Sequence, residues 1–395
     1  MSKQLSTDTV LTRGVAQVLP DTDSLSSLME KRTIRVYLGI DPTGFHLTLG
    51  HSVVLRKLQQ FADLGHEVIL LIGNGTVRIG DPTGKDSTRP VLTDAQIEDN
   101  FKDWKKQASK VLDFDKITIK HNGDWLDKLS FADIVKLMAK TTVQQLMERD
   151  MFQKRVEEGK PIHGHEIIYP LLQGYDSVAM DVDLEIGGTD QTFNMMMGRT
   201  LQKAYNNKEK WVLATPIING TDGRKMSKSY GNYIALTEDH INMYGKLMST
   251  ADSEIITYFE VLTDIPMEEI EQMKEAIDEG ENPMEYKKSL AFEITRMYHD
   301  ERLAQEAQDH FQKTVQNKEI PDDLEEITVD ASSIKLLDLV KLCDRQSSNS
   351  QLRRVIEQGG VQLDGEKIQD PYIELNLTTG QVVKFGKRNY YKIKL

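Results

Sequence analysis

The stretch HEVILLIG (66–73) runs apolar without the alternation of a strand that is wet on one side. So short and uninterrupted a run reads as a strand covered on both faces, the habit of parallel sheets flanked by helices. The neighbouring sequence supplies the cover. GHSVVLRKLQQFADLG (50–65) carries apolar residues at helical spacing and stops at Gly65, and TIRVYLGI (33–40) is a second β-rich run before it. Strand, helix, strand in that order implies parallel pairing through a helical crossover. A helix near 93–112, a strand KITIK (116–120), and a strand and helix within VDLEIGGTDQTFNMMMGRTLQ (182–202) continue the alternation. The pattern predicts a doubly wound, Rossmann-like α/β domain over 1–234. Helical patterns replace it and predict a helical domain over 235–317. The acidic NKEIPDDLEEITVD (317–330) reads as a linker, taken over 318–332, and 333–395 reads as one helix followed by short strands.

Length and composition limit what such a chain can be. At 395 residues it exceeds one ordinary domain, and 39% apolar residues suffice for a buried core. No run approaches the ~18 apolar residues of a membrane span, and the start, MSKQLSTDTVLTRG, lacks the apolar centre of a secretory signal. A soluble, cytoplasmic chain is therefore expected. One cysteine, Cys343, excludes an internal disulfide and a cysteine-rich zinc site, so any metal is expected to arrive with a substrate. The net charge of -13 is unevenly spread: residues 330–395 hold eleven Lys/Arg against eight Asp/Glu, the rest 38 against 54. A basic tail on an acidic body suits contact with phosphates, and equally suits a small solvated domain.

Two near-identical strings, GIDPTG (39–44) and IGDPTG (79–84), follow successive strands and place Asp41 and Asp81 at the carboxyl edge of the sheet, where open α/β sheets bind ligands. One Asp-Pro-Thr-Gly is ordinary turn chemistry; a repeat at matched positions marks that edge. A Walker-type phosphate loop is excluded, because GDPTGKD is one residue short between its glycines and Asp86 stands where Ser or Thr would meet magnesium. Phosphate has to be held otherwise. Gly50 and His51, in FHLTLGHSVVL (45–55), open the helix after the first strand, where unpaired N–H groups favour anions and glycine admits a flat base. Far along the chain, TDGRKMSKSYGN (221–232) sets Arg224, Lys225 and Lys228 between Gly223 and Gly231. A cationic loop between flexible glycines suits an anion whose charge grows during reaction.

LGH at 49–51 together with KMSKS at 225–229 resembles the paired signature of class I aminoacyl-tRNA synthetases. YPLLQGYD (169–176), GGTDQ (187–191) and the tyrosine of VYLGIDPT (36–43) resemble the bacterial tyrosyl group, and the last sixty residues resemble its S4-like RNA-binding domain. That resemblance implies L-tyrosine, ATP with its Mg2+, and tRNA(Tyr) as substrates, no dedicated metal site, and a homodimer. Tyr37 and Asp176 would meet the phenolic hydroxyl, Asp81, Tyr169 and Gln173 the α-ammonium, and Gln191 the carboxylate. Gly39, Asp41, Thr43, Gly50, His51, Gly188, Asp190 and Lys228 would hold ATP. Thr48, His51, Lys225 and Lys228 would assist the chemistry, with Lys85 and Arg89 facing pyrophosphate from the other side.

One position departs from the pattern. The place of the family's first motif histidine is Thr48, with His46 two residues earlier; threonine donates a hydrogen bond and carries no charge, so phosphate stabilisation there is expected to be weaker or supplied elsewhere. In the tail, SNSQLRRVIEQGGVQLDGEKI (348–368) predicts a capped helix bearing Arg353 and Arg354, a Gly-Gly stop and a hairpin. KFGKRNYYKIKL (384–395) interleaves Lys384, Lys387 and Arg388 with Tyr390 and Tyr391, cations for RNA phosphate and aromatics for stacking, with core packing as the alternative for the tyrosines. A small-molecule nucleotidyltransferase would need no such tail. A non-enzymatic RNA-binding protein would not need Asp81 and the lysine loop. A tryptophanyl enzyme is the nearest rival, opposed by Tyr37 and Asp176, since indole has one donor and no hydroxyl.

Overall fold

The computed structural model describes residues 5–42, 46–81, 93–316, 324–329, 332–344, 347–386 and 389–395. The chain divides into two compact units, Met1–Tyr298 and His299–Leu395.

The first unit is built on a six-stranded sheet in the order β1 (Gln17–Leu19), β6 (Trp211–Thr215), β5 (Leu184–Gly188), β2 (Arg35–Ile40), β3 (Glu67–Ile72), β4 (Ile117–His121). As the uninterrupted run implies, β3 buries every residue after Glu67 and pairs in parallel with β2 and β4. Helices Leu49–Asp63 and Asp94–Ala108 make the crossovers to β3 and β4. The chain then returns to the other side of β2, where β5 and β6 add in parallel and β1 closes the edge antiparallel to β6. The sheet therefore changes direction of growth at β2, and a crevice opens beyond the carboxyl ends of β2 and β5. β1 has three residues, too few to show a period, and was not expected from sequence.

Helix Gly164–Met180 crosses helix Thr192–Asn206 at close range. A Cβ on Gly174 would lie 2.9 Å from Leu201 Cδ1 and 3.0 Å from the backbone nitrogen of Gly198, so only glycine fits the crossing. The segment after 235 does not stand apart from the sheet as far as Tyr298. Helix Ile255–Leu262 buries Ile255, Tyr258 and Phe259, and Arg13 donates to the carbonyls of Phe259, Glu260, Thr263 and Ile265 at its end. Among the described residues no helix is long and apolar enough to cross a membrane.

The second unit begins with helix Glu301–Phe311 and contains a five-stranded sheet, β10 (Glu366–Lys367), β9 (Val361–Leu363), β12 (Val382–Phe385), β13 (Asn389–Lys394), β7 (Glu325–Thr328), beside a two-stranded one, β11 (Glu374–Asn376) with β8 (Ser333–Lys335). β7 lies inside the segment read as a linker; Ile327 and Val329 alternate inward, and the strand pairs in parallel with β13. Helix Asn349–Glu357 is capped by Ser348 and Gln351, and Leu352 and Ile356 anchor it in the core. The hairpin follows as its sequence predicts, with Asp364 at φ 48° and Gly365 at φ 88° in the turn.

Gly174→Ala is expected to destabilise the first unit by about 1–3 kcal/mol, because its nearest obstacles include backbone that cannot step aside. Denaturant melts of the variant and the unaltered chain measure the difference; an Ala variant as stable as the parent would contradict the tight crossing.

Candidate active site

The crevice is a cleft of about 250 Å³ whose lining includes Gly39 and Asp41 from the end of β2, His51, Gly188 and Gln191 from the end of β5 onward, and Tyr169, Gln173 and Asp176 from helix Gly164–Met180. Tyr169, Gln173 and Asp176 come together because i, i+4 and i+7 share one face of that helix. Asp81 joins them nine residues past the end of β3, after the turn Thr76–Arg78 rather than directly from the strand. Four carboxylates, those of Asp41, Asp81, Asp176 and Glu185, thus face one small space. Such a concentration of acceptors suits a ligand bearing an ammonium group.

Each carboxylate is held by named donors. Asp41 accepts from Tyr169 Oη (2.8 Å) and from Thr76 Oγ1 (2.7 Å). Asp81 accepts from Gln191 Nε2 (2.9 Å), with Arg149 3.9 Å from its other oxygen. Gln191 in turn accepts from Asn194 (3.0 Å). Asp176 accepts from Trp125 Nε1 (2.8 Å) and Asn122 Nδ2 (3.2 Å). Burial nevertheless pushes Asp176 well above the usual carboxylate range, with these two donors pulling the other way. Tyr37 is fully buried and stands behind the lining, its hydroxyl 3.0 Å from Ser177 Oγ. Burial, then the charges of Glu185 and Asp176, raise it well above an ordinary phenol, so it stays protonated.

The second half of the site is the start of helix Leu49–Asp63. Thr48 is its N-cap, buried; its backbone N–H donates to Nδ1 of His51 (3.2 Å) and its hydroxyl lies 2.8 Å from the same nitrogen. A ring nitrogen that accepts an N–H carries no proton, so the neutral ring of His51 bears its proton on Nε2. Burial and then nearby Lys228 lower His51 to about 4, and the imidazole is uncharged at neutral pH. His46, by contrast, is exposed, does not line the cleft, and lies 3.4 Å from the Thr237 hydroxyl.

The lysine loop is tied to this helix start. Leu49 N–H donates to the Ile234 carbonyl (2.9 Å), and buried Met226 lies 3.7 Å from where a Cβ on Gly50 would be. Asn232, also buried, ties the loop together, accepting from Ser227 N–H (2.8 Å) and donating to Asp222 (2.6 Å) and the Lys225 carbonyl (3.1 Å). Gly223 and Gly231 take φ of 77° and 67°, which keeps the turn to glycine. Lys225 donates to Asp190 (2.8 Å), and Lys228 lies 5.6 Å over the Trp104 ring. Asp190 and Gly188 are neighbours: a Cβ on Gly188 would sit 2.7 Å from the Asp190 carboxylate. Thr43, Lys85 and Arg89 lie outside the described residues.

The cationic positions of the tail belong to the second unit. Arg353 donates to Tyr372 Oη (3.1 Å) on an exposed face. Lys384 lies 5.0 Å over the Tyr390 ring, its cross-strand partner. Tyr391 turns the other way, packs on the core and donates to the Cys343 carbonyl (3.1 Å). Lys387 and Arg388 lie outside the described residues.

Residues 29–316 match the family described as tRNA synthetases class I (W and Y). The chain belongs to that family. Among curated relatives, the tyrosine–tRNA ligase of Thermotoga maritima is 46% identical over 97% of this chain and 96% of its own, and that of Moorella thermoacetica 44% identical over 97% and 94%. A tyrosyl-tRNA synthetase of Archaeoglobus fulgidus solved with L-tyrosine shares the fold, with a TM-score of 0.61 at 21% identity, covering 76% of this synthetase and 98% of that chain.

Sequence reasoning missed the residues that hold the site rather than form it: Thr76, Asn122, Trp125, Arg149, Glu185 and Lys210. Apart from Asn122 and Trp125, which belong to one short helix and its cap, they come from separate elements and share no local motif. Lys210 alone left a trace, a lysine that opens the buried run WVLAT.

A pH effect follows from His51. Its folded-state value of about 4 lies below that of the unfolded chain, about 6.5. The unfolded state therefore binds the proton first, and this group erodes stability as pH falls from 6.5 toward 4. His51→Gln is expected to flatten the fall of stability across that window, measured by denaturant melts at stepped pH, while above pH 7 the slopes of the two proteins coincide.

Proposed function

We propose that this synthetase is a tyrosine–tRNA ligase acting in the cytoplasm: it joins L-tyrosine to ATP as tyrosyl-adenylate, releasing pyrophosphate, and passes tyrosine to the 3′-terminal adenosine of tRNA(Tyr). The observation that carries the reading is that one cleft joins an acidic pocket, made by Asp81, Tyr169, Gln173 and Asp176, to a helix start bearing Gly50 and His51 and tied to a two-lysine loop.

The pocket suits the two polar ends of tyrosine. Asp81 and Gln173 offer acceptors to the α-ammonium beside Tyr169, and Gln191 stands next to Asp81 where the carboxylate would lie. Asp176 is assigned to the phenolic hydroxyl; Tyr37 backs it across Ser177, the next residue of the same helix. A buried carboxyl left without its hydroxyl partner is costly, which sets tyrosine above phenylalanine.

Attack of the tyrosine carboxylate on the α-phosphorus moves negative charge onto the phosphates. The neutral ring of His51 offers Nε2–H, a donor that needs no charge to act, and the helix start adds its N–H groups. Lys225 and Lys228 supply the cations. For Lys225 this means exchanging Asp190 for phosphate, and Asp190 is then released toward the ribose. Interactions made as the bond breaks lower the barrier more than interactions made with bound ATP. Thr48 accounts for its own departure from the family pattern: it orients His51 instead of contacting phosphate. Mg2+ enters with the nucleotide as part of that substrate. The tail reading assigns Arg353, Arg354, Lys384, Lys387 and Arg388 to tRNA phosphates.

The homodimer finds support in an exposed apolar helix face. Phe131, Val135 and Met138, at i, i+4 and i+7 of helix Phe131–Met138, are 85%, 49% and 41% exposed, with Val143 at 65% beyond it. A patch of this kind marks a protein interface, and a twofold pairing would cover it with its own copy.

Amino-acid-dependent pyrophosphate exchange with all twenty amino acids, then charging of total tRNA, tests the assignment; exchange driven by tryptophan and not tyrosine would overturn it. Replacing Lys225 and Lys228 together by Ala is expected to slow adenylate formation by about 10²-fold or more with little change in the KM for tyrosine. Light scattering checks the assembly: Phe131→Asp is expected to shift the particle from twice the 45.0 kDa chain mass to once.

A further inference from the structure

A charged pair, with Glu185 on the cleft wall and Lys210 behind it, has no role in the chemistry above. Glu185 on β5 and Lys210, the residue before β6, have side chains 2% and 0% exposed. Lys210 Nζ donates to Glu185 Oε2 and to the Met195 carbonyl (3.0 Å). The ammonium occupies room that Gly198 leaves, since a Cβ there would lie 2.3 Å from Nζ, and it sits 5.7 Å over the Tyr37 ring. Burial lowers the Lys210 pKa and the charge of Glu185 opposes it. A buried ion pair is a poor source of stability, because desolvation cancels most of the attraction. Its cost points to some other use.

We infer that Glu185 and Lys210 are positioning residues for amino-acid selection: Glu185 fixes which way the Gln173 amide faces, and Lys210 fixes Glu185. The inference rests on the tyrosine reading above. Gln173 Nε2 donates to Glu185 Oε1 (3.1 Å). An ionised carboxylate only accepts, so the amide must turn its NH2 toward Glu185 and its carbonyl toward the cleft that Gln173 lines. An ammonium group only donates, and the carbonyl is the end it needs. A neutral partner at 185 would accept either face of the amide, and the flipped one presents NH2 to the ammonium. Lys210 does not line the cleft; the cleft-facing carboxylate it holds is that of Glu185, and its other contacts are the Met195 carbonyl and the Tyr37 ring. Both effects belong to amino-acid binding and leave the nucleotide end of the cleft untouched.

Full-length Glu185→Gln, Lys210→Met and the double variant are compared by pyrophosphate exchange and by equilibrium dialysis of L-tyrosine. Glu185→Gln is expected to raise the KM for tyrosine about tenfold, the loss of one oriented hydrogen bond, with the KM for ATP and kcat held within about twofold. The double variant, which removes both charges together and avoids stranding a lone buried one, is expected to match Glu185→Gln rather than to add a second loss. An unchanged KM for tyrosine in folded Glu185→Gln, parallel rises for tyrosine and ATP, or a double variant weaker by a further factor would each overturn the inference. Failure of the unaltered chain to bind tyrosine would instead refute the tyrosine reading, whereas tyrosine bound equally by all four proteins would refute this inference alone.

Discussion

The approach of helix Gly164–Met180 to helix Thr192–Asn206 is the constraint on which the site depends. Gly174 lets the two backbones close, and Gly198 on the facing helix leaves the hole that receives the Lys210 ammonium. A bulkier crossing would push helix Gly164–Met180 away from the sheet, and with it Tyr169, Gln173, Asp176 and Ser177, which it carries as one rigid face. Because packed interiors have few rearrangements available, a shift of an ångström there moves Tyr169, Gln173 and Asp176 together relative to the other acceptors of the pocket. The two glycines thus bear on the site through the spacing of backbones rather than through a side chain of their own.

The cleft also shows how a protein keeps several carboxylates close together without mutual disruption. Asp41 leans on Tyr169 and Thr76, Asp81 on Gln191 beside Arg149, Asp176 on Trp125 and Asn122, and Glu185 on Lys210 and Gln173. Each has donors of its own, drawn from different elements, so the acidity is local. Asp176 has neutral partners, Trp125 and Asn122, and burial raises it well above the usual carboxylate range. A carboxyl in that position is ready to share a proton with a hydroxyl, whereas Asp81, with a guanidinium 3.9 Å away, is better suited to a cation.

What could be read from the sequence divides along physical lines. β3 announced itself because five consecutive buried residues leave no polar face, and helix Leu49–Asp63 because its period is long enough to see. Asp41, His51, Gly188 and Gln191 were legible because they occupy the ends of strands and helices, where local sequence patterns specify turns and starts. β1 was not, being three residues long, and β7 hid in an acidic stretch where the inward-facing described residues are Ile327 and Val329. Asn122 and Trp125 were invisible for a different reason: their role is to donate to Asp176, more than fifty positions away, and no window along the chain contains both. Tyr390 and Tyr391 looked alike in sequence and separate in the sheet, because adjacent strand residues face opposite sides.

Thr48 stands where the family pattern has histidine, and in this structure its polar groups serve His51. A charged ring at that position would sit at a helix start already rich in positive potential, next to a His51 that itself feels Lys228. Threonine instead caps the helix and feeds a backbone N–H to His51 Nδ1, which leaves one neutral donor, Nε2–H, on the ring. Positive charge is thereby concentrated in the loop, on side chains that can change partners, and withheld from the fixed helix start. Lys225 already donates to Asp190, so on the proposed reading its gain on meeting phosphate would be the difference between a carboxylate-bound and a phosphate-bound state and not the full attraction. A difference of that kind is small for a resting triphosphate and grows as charge accumulates on the departing group, which is the condition for a loop to favour the transition state over its substrate.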